Sequence, residues 1–279
     1  MPPSLISRKI LRRITGDQSL DMEELLTSSK HMRPQKPFDF FNRYETILAR
    51  TDNWVSMDFE GKRVLEIGCG PLLGFGPLAI FRGAAEYTAI EPGFDEQVLL
   101  DERIVEGYFG NIHQDLSAIY GERNNKAKFI CGVKDKTSII RKYLLEANIE
   151  KQFDIVISNS CLEHISPFIE SMRMLHRSCV PGARFLHLVD FGSHQPGANP
   201  FQNIYSTDRD SFIAKYGLHI NLLRPTDIVK AMHEAGFHTY FTKYGYSPDY
   251  YNGPVHEYWS SRYDESELFT KTGFVFGEA

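Results

Sequence analysis

Two spacings of apolar residues alternate along this chain. Short unbroken apolar runs, bounded by glycine or polar residues, are typical of strands buried on both faces; apolar residues recurring every three or four positions are typical of amphipathic helices. Val64–Ile67 is the first such run, and a helical pattern follows over Pro71–Phe81, closed by Gly83. Glu86–Ile90 predicts the second strand, Lys128–Cys131 the third and Asp154–Ser158 the fourth, with a helix over Thr137–Ala147 before the last of these. Then come a helix over Phe168–Ser178, a turn at Pro181-Gly182 and a fifth strand over Arg184–Val189. Thr226 as N-cap opens a helix over Asp227–Ala235 that Gly236 ends, and Phe237–Lys243 and Phe269–Phe276 predict the last two strands. Residues 93–126 are polar with scattered apolar positions and predict a helix and an irregular connection.

Strands alternating with helices in this way predict an α/β fold with a doubly wound parallel sheet. In such sheets ligands bind beyond the carboxyl ends of the strands. The stretch VLEIGCG at Val64–Gly70 has that character, because its apolar run ends abruptly in a glycine turn where backbone amides can approach a ligand. Glu66 stands among apolar neighbours, and a carboxyl group there requires a cationic or hydrogen-bonding partner; the amino group of a ligand would serve. A dinucleotide fingerprint would need a third glycine where Leu73 stands, and the phosphate-loop lysine is missing too.

What remains, Glu66-x-Gly68-x-Gly70, resembles the first motif of the class I S-adenosylmethionine-dependent methyltransferases. YTAIEP (Tyr87–Pro92), FDIVISNSCLEHI (Phe153–Ile165) and ARFLHLVDF (Ala183–Phe191) follow in that family's order. The resemblance covers residues 37–277. It implies a Rossmann-like seven-stranded mixed sheet whose last two strands form an antiparallel edge, an insertion after the fifth strand, and S-adenosyl-L-methionine as cofactor. Glu66, Gly68, Cys69, Gly70, Glu91, Pro92, Asn159 and Ser160 are the cofactor-binding residues it implies. Glu91, 21 positions after Gly70, stands where folds of this topology hold a ribose diol. Asp135 is a candidate for the adenine contact, with an exposed loop acid as the alternative.

Residues 1–36 form a helical or partly disordered extension, in which Leu5, Ile6, Ile10, Leu11 and Ile14 at helical spacing among basic residues also suit an anionic membrane surface. Residues 37–279 form the methyltransferase domain, with a long insertion over 191–223 that suits a lid or specificity element. The aromatic-rich connection over 244–267 suits either a sugar or ring-shaped substrate or a homodimer contact.

Chemistry narrows the candidates further. Methyl transfer to a hydroxyl needs a base, and a histidine near neutral pKa is the usual one. His194 is the first choice, His164 and His187 are the others, and Asp190 is the orienting carboxylate. A histidine within a strand, such as His187, is more often a core residue. No metal is expected, although Glu163, His164 and His194 would converge on one divalent ion if the insertion folds back. His187, Asp190, His194, Asn221, Leu223 and Arg224 also follow a pattern that resembles methyltransferases of surface-polysaccharide and glycan gene clusters, which implies O-methylation of a sugar or nucleotide sugar. The alternatives are O- or N-methylation of another small metabolite, or a non-catalytic cofactor-binding scaffold.

In 279 residues, 31 basic and 36 acidic side chains leave a net charge of −5, which provides no attraction for a nucleic-acid backbone. Cys69, Cys131, Cys161 and Cys179 are widely spaced without a metal-binding pattern, which fits a reducing, cytoplasmic setting. There is neither an apolar run of membrane-spanning length nor the apolar core of a signal peptide.

Overall fold

The computed structural model describes residues 22–150, 152–194, 199–201 and 203–279. The basic pattern at residues 5–14 lies outside them. Seven strands form one sheet in the order β3-β2-β1-β4-β5-β7-β6, namely β1 (Arg63–Ile67), β2 (Glu86–Ile90), β3 (Thr137–Ile140), β4 (Phe153–Asn159), β5 (Cys179–Asp190), β6 (His238–Tyr246) and β7 (Thr270–Glu278). From β3 through β5 all pairs are parallel. β7 runs antiparallel to both β5 and β6, which gives the mixed edge.

Successive strand residues point to opposite layers, so each strand feeds two cores. Val64 and Tyr87 pack into one layer with α1 (Met22–Thr27), α2 (Lys36–Leu48), α3 (Gly76–Phe81), α4 (Gly110–Tyr120) and α5 (Lys126–Asp135). Leu65, Ile67 and Ile90 pack into the other, with α6 (Phe168–Arg177), α7 (Arg209–Tyr216), α8 (Pro225–Glu234), α9 (Glu257–Ser260) and α10 (Glu265–Leu268). Among the described residues no helix is long and apolar enough to cross a membrane.

Five local expectations are corrected. Lys128–Cys131 is helical, part of α5, because Phe129, Ile130 and Val133 fall on one buried helical face and Asn125 caps the start with its side chain. The third strand is instead Thr137–Ile140, inside the stretch whose spacing predicts a helix. Asp135 therefore ends a helix at the amino end of β3, away from the carboxyl ends where a ligand binds. After the glycine turn the chain makes one 3-10 turn at Gly70–Leu72, and α3 begins only at Gly76. The N-cap of α8 is Arg224 rather than Thr226, its backbone N–H donating to Asp227 at 2.9 Å.

Arg224 also fastens the insertion to the sheet. Its side chain is buried, donating from Nη1 to the Tyr205 hydroxyl at 2.6 Å and from Nη2 to the Phe191 carbonyl at 2.8 Å. The rings of Phe191, Phe201 and Tyr205 lie within cation–π range of its guanidinium. Tyr251 and Trp259 of the aromatic-rich connection pack against Tyr205 at 5.5 and 5.6 Å between ring centroids. Those two rings are thus used inside the protein, not on a surface that a second copy or a substrate would meet. Arg224→Ala removes two charge-assisted hydrogen bonds and the packing of its stem, and is expected to cost about 3 kcal/mol in urea unfolding. A loss below about 1 kcal/mol would show that the anchor lies elsewhere.

Candidate active site

The strand order reverses between β1 and β4, and a cleft of about 990 Å³ opens at their carboxyl ends. Its floor and walls include Gly68, Gly70, Glu91 and Pro92 on one side, Tyr143 to Glu146 after β3, and Ser160, Cys161 and His164 after β4. Both glycines have left-handed backbones, with φ of 73° at Gly68 and 65° at Gly70. A Cβ at Gly68 would also meet the Cys161 sulfur at 2.7 Å, so the first turn needs glycine for conformation and for space. At Gly70 an added Cβ would meet nothing within 4 Å, and only the conformation demands glycine.

Glu91 ties this turn to β2. One carboxylate oxygen accepts the Gly70 N–H at 2.9 Å and the other the Gly93 N–H at 3.2 Å. Both oxygens keep lone pairs for a diol, and a carboxylate at the end of β2 beside an open glycine turn fits the ribose of a nucleoside. The residues present thus fit S-adenosylmethionine, with Ile67, Ile90 and Leu144 as apolar walls.

Glu66 is placed differently from the expectation that it meets a ligand. Its carboxyl lies beneath the turn, where Oε2 accepts from the Phe75 N–H at 2.8 Å and lies 2.7 Å from the Tyr87 hydroxyl. Tyr87 also lies 3.0 Å from the Leu73 carbonyl, and one hydroxyl proton cannot serve both oxygens. A protonated Glu66 donating to Tyr87 leaves the tyrosine proton for Leu73. Burial pushes the Glu66 carboxyl up to about 8, consistent with that arrangement. A Cβ at Gly74 would meet the carboxyl at 2.1 Å, so the loop closes tightly over it.

Cys69 is likewise turned into the core, its thiol against the Gly70 carbonyl at 3.2 Å. Asn159 is held by the Tyr44 hydroxyl of α2 at 2.8 Å, which fastens the helix across the end of β4. His187 is fully buried inside the sheet, 2.8 Å from Ser158, and burial pushes its imidazole down to about 3. It is a neutral core histidine with no opening to the cleft.

The other two histidines do meet. His164 and His194 stack edge to face at 4.9 Å between ring centroids. Nε2 of His194 lies 3.9 Å from Glu163 and 3.9 Å from Asp190. Asp190 is itself paired with Lys271 at 2.9 Å. Nδ1 of His164 is 2.7 Å from the His219 carbonyl, a contact it makes only as donor, so Nε2 is the free ring nitrogen. Burial lowers the His194 imidazole from its ordinary value, outweighing the upward pull of Asp190. Glu163 is buried beneath both rings, and neither of its oxygens has a hydrogen-bond partner. Burial pushes that carboxyl up to about 8. Asn221 at the end of the insertion secures this corner, its amide donating to the Leu162 and Ile165 carbonyls at 2.8 and 3.1 Å.

The methyltransferase domain family matches residues 30–240, which is most of the chain. The chain belongs to that family. It is a methyltransferase with S-adenosylmethionine as cofactor. A comparison with curated proteins returned no match. Among solved structures, an S-adenosylmethionine-dependent methyltransferase from Mesorhizobium loti is 13% identical with a TM-score of 0.45, over 80% of this chain and 92% of that one. The N-methyltransferase NodS from Bradyrhizobium japonicum is 13% identical at 0.40, over 86% and 96%. Phosphoethanolamine N-methyltransferase 2 from Haemonchus contortus, in complex with S-adenosyl-L-methionine, is 15% identical at 0.41, over 81% and 46%. Likeness at this level says nothing about the acceptor.

Several parts of this methyltransferase site have no counterpart in the sequence reading. Tyr87 and the Phe75 amide hydrogen-bond Glu66, Lys271 pairs with Asp190, and Tyr143 to Glu146 wall the cleft. Only the last had a local signal, an apolar pair just beyond a strand.

Two outcomes follow from the turn. Gly68→Ala is expected to weaken cofactor binding by calorimetry at least about tenfold, and unchanged affinity would contradict the close approach. The Glu66 carboxyl titrates near 8 when folded against 4.5 ordinarily, so the native state holds the extra proton between those values and stability falls as pH rises through them. The melting temperature is therefore expected to drop from about pH 5 to about pH 9 more steeply than in Glu66→Gln; equal slopes would show that Glu66 is ionised throughout.

Proposed function

We propose that this methyltransferase acts on a hydroxyl of a small polar acceptor, with a sugar or nucleotide sugar as the favoured class. The observation that carries the reading is the His164–His194 pair above the buried Glu163, on the wall of the cleft through His164. S-adenosylmethionine supplies a methyl group on a sulfonium, so the chain's task is to align the acceptor and to carry off its proton. Gly68, Gly70 and Glu91 hold the nucleoside, and Ser160 to His164 form the shelf between it and the acceptor. The acceptor hydroxyl lies against His194, whose neutral imidazole is open to solvent. Asp190, at 3.9 Å from its Nε2, favours positive charge arriving there.

The sugar class is supported by the likeness of the His187, Asp190, His194, Asn221, Leu223 and Arg224 pattern to methyltransferases of glycan gene clusters. A net charge of −5 adds nothing toward a nucleic-acid acceptor.

Turnover against a panel of sugars and nucleotide sugars, read as S-adenosylhomocysteine formed, tests the acceptor class; transfer only to amines would overturn it. With an accepted hydroxyl substrate, His194→Ala is expected to lower kcat by about 10²–10⁴-fold and leave cofactor affinity within about twofold. Unchanged turnover would remove His194 from the reaction.

A further inference from the structure

The corner formed by Glu163, His164 and His194 has features that proton transfer to a histidine does not explain. A buried carboxyl group normally has its oxygens hydrogen-bonded, because desolvation without a partner costs several kcal/mol. Glu163 is 3% exposed, yet both oxygens lack a partner, and Oε1 faces His194. His164 donates Nδ1–H to a backbone carbonyl. That contact is what fixes the tautomer and ring orientation of a metal-ligating histidine, with the other nitrogen presented to the ion. One donor atom from each of the three residues lies within 4.8 Å of the others.

We infer that Glu163, His164 and His194 bind one divalent transition-metal ion. Two imidazoles and a carboxylate form a donor set suited to zinc, cobalt, manganese or iron rather than to magnesium or calcium, which take oxygen ligands. Bonds of about 2.1 Å place tetrahedral donors about 3.4 Å apart. The donor atoms, within 4.8 Å of one another, would have to draw together by up to about 1.4 Å, with Glu163 buried and the His194 side chain partly exposed. Asp190, already paired with Lys271, stands 3.9 Å from His194 Nε2 and completes the negative surroundings. The exposed side of the two rings leaves positions open to an outside ligand.

The loop that carries the carboxylate is built to hold still. The Asn221 backbone N–H donates to the Glu163 carbonyl at 2.7 Å, and its side chain clamps the carbonyls on either side of the pair. The insertion thereby brings His194 and the His219 carbonyl to a loop that belongs to β4. Ion binding stands independently of the acceptor; its use rests on the reading above, and with the ion bound His194 would serve as a ligand rather than as the base, the ion itself holding the acceptor hydroxyl and promoting loss of its proton.

The test is titration of the full chain, freed of any affinity tag and of metal, with Zn²⁺ by calorimetry and with Co²⁺ by visible absorption. One equivalent is expected to bind, with a cobalt spectrum of nitrogen and oxygen ligation, and Mg²⁺ is expected not to compete. Glu163→Gln and His164→Ala should each weaken Zn²⁺ binding by about 100-fold or more, while His238→Ala, on the exposed edge strand, should not. The melting temperature, measured on the same variants without ion, reports that they are folded. No stoichiometric binding, or equal affinity in Glu163→Gln and the unaltered protein, overturns the site. Either negative result leaves hydroxyl methylation intact, and failure of the acceptor panel leaves ion binding intact.

Discussion

A carboxyl group placed inside a parallel sheet has to be neutralised within the protein, and in this chain the solution to that problem shapes the mouth of the cleft. Glu66, protonated, accepts a backbone N–H from Phe75 and donates to the Tyr87 hydroxyl on the neighbouring strand. The first contact bends residues 68–76 over the end of β1, and the second ties that loop to β2. With the loop held from below, Gly68 and Gly70 present their backbone above it, and Glu91 fixes the turn from the side through the Gly70 amide. Glu66 is therefore a positioning residue: it shapes the turn proposed to meet the nucleoside and is itself covered.

β1, β2 and β4 are legible because they are short, mostly apolar runs ended by glycine, acid or another polar residue. With them Gly68, Gly70 and Glu91 can be read directly. β3 was misread for a physical reason. It is an edge strand with one partner and carries no fully buried residue, so it lacks the apolar run that buried strands show. The preceding KFIC has such a run only because a helix places Phe129 and Ile130 on its inner face. Shifting the strand by one element moved the expected adenine contact to Asp135, whereas the cleft wall lies after β3, beyond Ile140.

The insertion is where local pattern carried least. It is fastened by Arg224, a cation buried among Phe191, Phe201 and Tyr205, residues up to 33 positions away in the chain. Periodicity does not report such a contact. Once the insertion is folded, however, His194 comes to Glu163 and His164, as their chemistry allows and their spacing alone could not establish. His187, equally attractive by type, lies inside the sheet because its strand position, not its chemistry, decides where it points.

The account stands on the carboxyl ends of β1 and β2 holding the nucleoside with the reacting group toward β4. A crystal structure of the protein with S-adenosylhomocysteine measures this most directly. The predicted result is ribose hydroxyls within hydrogen-bond distance of Glu91 and the sulfur facing the Ser160–His164 shelf. A nucleoside bound elsewhere, or one that leaves Glu91 contacting only Gly70 and Gly93, would contradict it.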